Sequence, residues 1–131
     1  MDLLKELTIV EKDRVGLLAD VSETLAKAGV NIECVQAESS GKQGIIRLLV
    51  SSPEKAKAAL SKAGLNVLDS NIIAIRLPDK PGELARVSRL LADEKINIQN
   101  VYLIAKTEGE AIDALQTSDN EKAKKILKEY L

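Results

Sequence analysis

Residues 13–35, DRVGLLADVSETLAKAGVNIECV, return 66 residues later as residues 79–101, DKPGELARVSRLLADEKINIQNV. Eleven of the 23 positions are identical: Asp13/Asp79, Gly16/Gly82, Leu18/Leu84, Ala19/Ala85, Val21/Val87, Ser22/Ser88, Leu25/Leu91, Ala26/Ala92, Asn31/Asn97, Ile32/Ile98 and Val35/Val101. Self-similarity on this scale marks two copies of one supersecondary unit. The 131 residues are therefore read as two units, 1–69 and 70–131. The copies share a glycine turn, a helix stripe and an Asn-Ile strand entry. They share no set of catalytic groups, which directs the reading toward binding.

Outward from the repeat, each copy gives the same order of elements. Short β-branched runs, Leu7-Thr8-Ile9-Val10 and residues 72–77, predict a first strand. A glycine turn follows, then a helix whose predicted core stripe is Leu18, Val21 and Leu25, with Leu84, Val87 and Leu91 as counterparts. Gly29 suits the left-handed stop of the first helix, and Lys95 holds that place in the second. Second strands start at Asn31-Ile32 and Asn97-Ile98, and polar stretches 39–44 and 106–110 predict hairpins into third strands at 45–50 and 111–116. Second helices carry the shared string EKAK at 54–57 and 121–124, and residues 65–68 give the first copy a fourth strand. The expected fold is α+β: two ferredoxin-like βαββαβ units, helices on one face of antiparallel sheets, the second unit lacking its own last strand. Residues 69–71 read as a short link, with 65–77 as one nearly continuous edge segment. The first copy's third strand is apolar on both faces (Ile46, Leu48, Val50 and Ile45, Leu49), so its outer face is expected to pack against a partner.

Composition narrows the chemistry. The chain has no histidine, tryptophan or phenylalanine, and its only tyrosines are Tyr102 and Tyr130. Ser-His-Asp and Cys-His catalysis and histidine metal sites are thereby excluded, as are aromatic stacking platforms for single-stranded nucleic acid. A net charge of −1 offers no pull toward nucleic acid or acidic lipid. No apolar run reaches the ~20 residues of a membrane span, and residues 1–10 lack a signal-peptide core. The single cysteine, Cys34, cannot form an internal disulfide, so a cytoplasmic setting is expected. With no histidine to activate it, Cys34 reads as a packed residue. Glu108, Glu110 and Asp113 read as solvated hairpin charges, and Lys122, Lys124, Lys125 and Lys128 as a water-facing helix surface. No nucleotide-binding loop motif is present, so no cofactor, metal or catalytic residue is expected.

The D-R-V-G-L-L-A-D-V and D-K-P-G-E-L-A-R-V segments resemble the opening loop and first helix of the ACT domain family. The A-G-V-N-I run at 28–32 and K-I-N-I at 95–98 resemble its entry into the second strand. The resemblance covers both repeats. It implies a regulatory module that binds a small molecule, most often an amino acid, where units meet, and that often modulates an attached or associated enzyme. This chain departs from that pattern, since the two units take up its length and no catalytic groups are supported, so a stand-alone, non-enzymatic protein is expected. By the same resemblance the ligand lies between one unit's first loop and the other's second strand. Carried onto this chain, the loop positions are Asp13, Arg14, Val15, Gly16, Leu17 and Asp79, Lys80, Pro81, Gly82, Glu83. The strand-entry positions are Asn31, Ile32, Asn97 and Ile98.

Physical chemistry supplies a role for these residues and a plainer alternative for each. Unpaired N–H groups at a helix start suit a ligand carboxylate. Gly16 and Gly82 either let backbone approach a ligand or merely permit the turn. Asp13 and Asp79 either pair an ammonium or cap the turn. Asn31 and Asn97 either bind ligand through their amides or hold a turn. Glu83 at the second helix start opposes a ligand carboxylate, which favours the first loop. Units of ~65 residues bury only ~60% of their unfolded surface, so a homodimer or higher oligomer is expected. A regulated enzyme is the expected partner; the competing reading is a ligand-free assembly protein of the same fold.

Overall fold

The computed structural model describes residues 3–131; Met1 and Asp2, where the expectation about the chain's start begins, lie outside the described residues. The elements are β1 (Leu3–Lys12), α1 (Leu17–Lys27), β2 (Ile32–Ser40), β3 (Gln43–Val50), α2 (Pro53–Lys62), β4 (Val67–Pro78), α3 (Glu83–Asp93), β5 (Ile98–Thr107), β6 (Glu110–Thr117) and α4 (Asn120–Ile126). A 3-10 turn, Lys128–Tyr130, follows. The chain divides into two compact units: Lys5–Ser70, and Asn71–Leu131 with Leu4 of β1. Residues 69–71, expected as a link, lie inside β4, which closes the first unit and opens the second. Within each unit β4 stands at the end of the strand order, beside β1 in the first and beside β6 in the second, so it is an edge segment serving both. The fold is α+β, with two βαββαβ-like units, antiparallel pairing and four helices; no strand follows α4 among the described residues.

In the first unit the strand order is β2-β3-β1-β4. β3 pairs antiparallel with both β1 and β2, bringing Lys12 and Ser40 to Gln43. The C-terminal ends of β1 and β2 therefore meet at one end of the sheet. Leu7, Ile9, Ile46, Leu48 and Val50 face a core closed by Leu17, Val21 and Leu25 of α1 and Ala56 and Leu60 of α2. The buried stripe of α1 thus begins at Leu17. Leu18 is 43% exposed, and Leu84 in the second copy is 46% exposed. Identity between the copies at Leu18 and Leu84 marks a repeated surface position, whereas 3.6-residue periodicity fits i, i+4, i+8 from Leu17 equally well. Ala19 and Ala26 are exposed as well. Leu49, on the outer face expected to need a partner chain, is already buried in the single chain.

The second unit repeats the plan with Ile73, Ile75, Leu77, Val87, Leu91 and Leu115 in its core and strand order β4-β6-β5. Here Glu83 takes the helix position that Leu17 holds in the first unit and is buried, 6% exposed. Both first helices close with the same hydrogen bonds, Val30 N–H to Leu25 O and Ile96 N–H to Leu91 O, each 2.9 Å. The left-handed residue this requires is Gly29 in one case and Lys95, φ 61°, in the other.

Candidate ligand-binding site

Gly16 opens α1 in the left-handed region, φ 90° and ψ 0°, and Gly82 opens α3 at φ 94°. A Cβ at Gly16 meets only Arg14 Nη1, at 3.8 Å, so the glycine is demanded by backbone conformation and not by crowding. No side chain caps the start of α1. Leu17 N–H reaches Arg14 O at 3.4 Å and Asp20 N–H reaches Gly16 O at 2.9 Å, which leaves the N–H groups of Leu18 and Ala19 pointing past the helix start. On the strand side the loop is anchored by Asp13 N–H donating to Lys42 O, 2.8 Å.

This loop borders a cavity of about 430 Å³. One wall is Asp13, Arg14, Gly16, Leu17, Leu18 and Ala19; the other is Ala37, Glu38 and Ser39 of β2 with Gly44 and Ile46 of β3. That volume lies within the range of small-molecule pockets, about 300–1,000 Å³. Two of its charged groups are already paired, Arg14 with Asp20 and Glu38 with Arg47 at 2.9 Å. The Asp13 carboxylate has no ion pair among the described residues. The cavity thus offers an unneutralised carboxylate, an uncapped helix start and an apolar wall of Leu17, Leu18, Ala37 and Ile46.

The structure brings together some of the predicted residues and separates others. Asp13, Arg14, Gly16 and Leu17 share the cavity, Leu17 through the flank of a core side chain; Val15 is fully exposed beside it. Asn31 lies at the opposite end of β2 from Ser39, about 26 Å away at ~3.3 Å per residue. Its N–H donates to Ser51 Oγ, 3.0 Å, and its carbonyl accepts from Ser51 N–H, 3.0 Å. Asn97 and Ser118 repeat this exchange at 3.0 and 2.9 Å. Ile32 and Ile98 are partly buried against the two cores. Asp79 lies 3.1 Å from Lys106, Lys80 and Pro81 are exposed, and buried Glu83 sits 3.7 Å from Arg86.

The residues that sequence reasoning missed are Leu18, Ala19, Ala37, Glu38, Ser39, Gly44 and Ile46. Gly44 carried a readable signal, a glycine leading into an apolar strand. A Cβ there would stand 2.7 Å from Leu17 Cδ2 and 3.2 Å from Asp13 Oδ1, so only glycine lets the loop lie this close to β3. Away from the cavity, burial raises the pKa of the Cys34 thiol and the nearby charge of Glu6 adds to the rise, which opposes thiolate chemistry. Among the described residues no group of three or more acidic, cysteine or histidine side chains is placed to hold a metal. No helix among them is long and apolar enough to cross a membrane.

The chain matches the family model of an ACT domain pair over residues 2–130. A protein of known structure from Bacteroides thetaiotaomicron is 31% identical, with a TM-score of 0.88 over 97% of this chain and 88% of that one. The ligand-free regulatory subunit of aspartate kinase from Thermus thermophilus shares the fold at 17% identity and TM-score 0.68, covering 98% of this chain and 90% of the subunit. An uncharacterized protein of Methanocaldococcus jannaschii is 44% identical over 50 residues, 38% of this chain and only 34% of that curated relative's length. With the family model spanning both repeats, this chain belongs to the ACT domain family, as a pair of ACT units in tandem.

Proposed function

We propose that the chain is a regulatory protein that binds an amino acid in the first-unit cavity. The observation that carries this reading is the Asp13 carboxylate, without an ion pair among the described residues, beside the uncapped start of α1. An amino acid needs partners for an ammonium, a carboxylate and a side chain. Asp13 suits the first, the N–H groups of Leu18 and Ala19 with the α1 dipole suit the second. Leu17, Leu18, Ala37 and Ile46 suit an apolar third. No catalytic step is assigned to these groups. The aspartate kinase subunit of like fold carries the word regulatory in its own name, and we extend that role to this chain by analogy of fold.

Leu18 connects binding to assembly. It lines the cavity and is exposed, as are Val35 on β2 and the counterparts Leu84 and Val101. Association of chains over such apolar positions would couple to ligand through Leu18, since a ligand shifts an equilibrium only by its differential affinity for the two states. These same positions favour a second reading, an assembly protein that binds no ligand.

A thermal-shift screen against the twenty amino acids separates the readings. At about a hundredfold excess over Kd, binding stabilises by about 2.7 kcal/mol, a Tm rise on the order of 10 °C. Stabilisation by one chemical group of amino acids supports the regulator; silence across the panel, with a self-associating chain on sizing, favours the assembly protein. Circular dichroism or calorimetry is the readout, because the chain has no tryptophan.

A further inference from the structure

We propose that the second unit's counterpart of the cavity is closed by its own side chains, so that the chain takes up one ligand and senses with the first unit alone. This rests on the amino-acid reading above. The counterparts follow from the repeat and from ladder register. Glu83 stands for Leu17 and Asp79 for Asp13. Ala37 pairs with Ile46 where Leu103 pairs with Asp113, and Ser39 pairs with Gly44 where Lys106 pairs with Ala111. A register shift between Leu103 and Ala105 absorbs the one-residue change in offset.

Five of the eleven wall positions have gained bulk or charge in the second copy: Leu17 to Glu83, Ala37 to Leu103, Ser39 to Lys106, Gly44 to Ala111, Ile46 to Asp113. Two of these changes answer the ligand's own groups. The Lys106 ammonium lies 3.1 Å from the Asp79 carboxylate, where Asp13 has no such partner among the described residues. It holds the place a ligand ammonium would take. The Glu83 side chain is buried in the first turn of α3, 3.7 Å from Arg86. A second carboxylate brought there meets a like charge out of water, enough to weaken binding by about a hundredfold or more. The exposed Lys106–Asp79 pair contributes little stability by itself; its effect is to neutralise the one group the ligand needs.

The test is isothermal titration of the full chain with each of the twenty amino acids in turn. The expected result is one equivalent per chain for the amino acid that binds, with its Kd weakened about tenfold or more in Asp13→Ala. In E83L/K106S a second equivalent is expected, lost again when Asp79→Ala is added. If E83L/K106S does not fold, Lys106→Ser alone is titrated and is expected to gain a weaker second equivalent. Two equivalents in the wild-type chain, one equivalent whose Kd is unchanged in Asp13→Ala, or no second equivalent in a folded opened variant overturns the closed-copy inference alone. No heat with any amino acid overturns the amino-acid reading and this inference with it.

Discussion

Gly44→Ala is a one-methyl perturbation of the contact that sets the cavity's floor. The added Cβ would lie 2.7 Å from Leu17 Cδ2, 3.2 Å from Asp13 Oδ1 and 3.6 Å from Asp13 Cα. Leu17 is 5% exposed and packed in the first core, so its methyl has little room to retreat. Overpacking of this kind costs about 1–3 kcal/mol. Gly44 has no left-handed backbone, so alanine also gains about 0.5–1 kcal/mol from the lower entropy of the unfolded chain. The net expectation is a loss of about 0.5–2 kcal/mol, or roughly 2–8 °C in Tm. Urea unfolding followed by circular dichroism measures it. Leu17→Ala alone costs about 2–5 kcal/mol. It removes the methyl that Gly44→Ala strikes, so the double variant should fall short of additivity by about 0.5–3 kcal/mol. A Gly44→Ala chain as stable as wild type, or strict additivity with Leu17→Ala, would refute the contact.

Other expectations address the second unit and the strand entries. Burial raises the pKa of Asp113, which lies in the ladder between Ile75 and Leu103. A carboxyl whose folded pKa is raised favours folding most below its unfolded value near ~3.9 and loses that advantage as pH rises through the folded value. Asp113→Asn should therefore unfold at higher urea than wild type at pH ~7, and the two unfolding curves should converge in acid. Lys95→Gly should stabilise by about 0.5–1 kcal/mol, because glycine accepts φ 61° without a Cβ penalty, and thermal melts read the gain directly. Ser51→Ala should cost about 1 kcal/mol by depriving Asn31 N–H of its acceptor. Asn31→Ala should leave amino-acid affinity unchanged in titration, because the turn uses the backbone of Asn31.

What was legible in the sequence follows from what repeats. Order and element type were readable because each copy spells the same turns and periods. Helix phase was not: two adjacent leucines, Leu17 and Leu18, satisfy the period equally, and only packing shows that Leu17 points inward. Glu83 misleads further, since a carboxylate at a helix start reads as exposed. The loop half of the cavity was legible because a left-handed glycine before a helix leaves a local signature. The β2 and β3 half was not, because Ala37, Ser39 and Gly44 reach the loop only through antiparallel register. The same register carries Asn31 to the far end of the sheet.

The central claim is that Asp13 recognises the ammonium of an amino acid at the start of α1. Isothermal titration of wild type and Asp13→Ala with the amino acid that stabilises the chain tests it most directly. Hydrogen bonds to charged groups are worth about 1.5–3 kcal/mol, so the account predicts a Kd weakened by about tenfold to a hundredfold with the fold intact by circular dichroism. An unchanged Kd in a folded Asp13→Ala chain would contradict it.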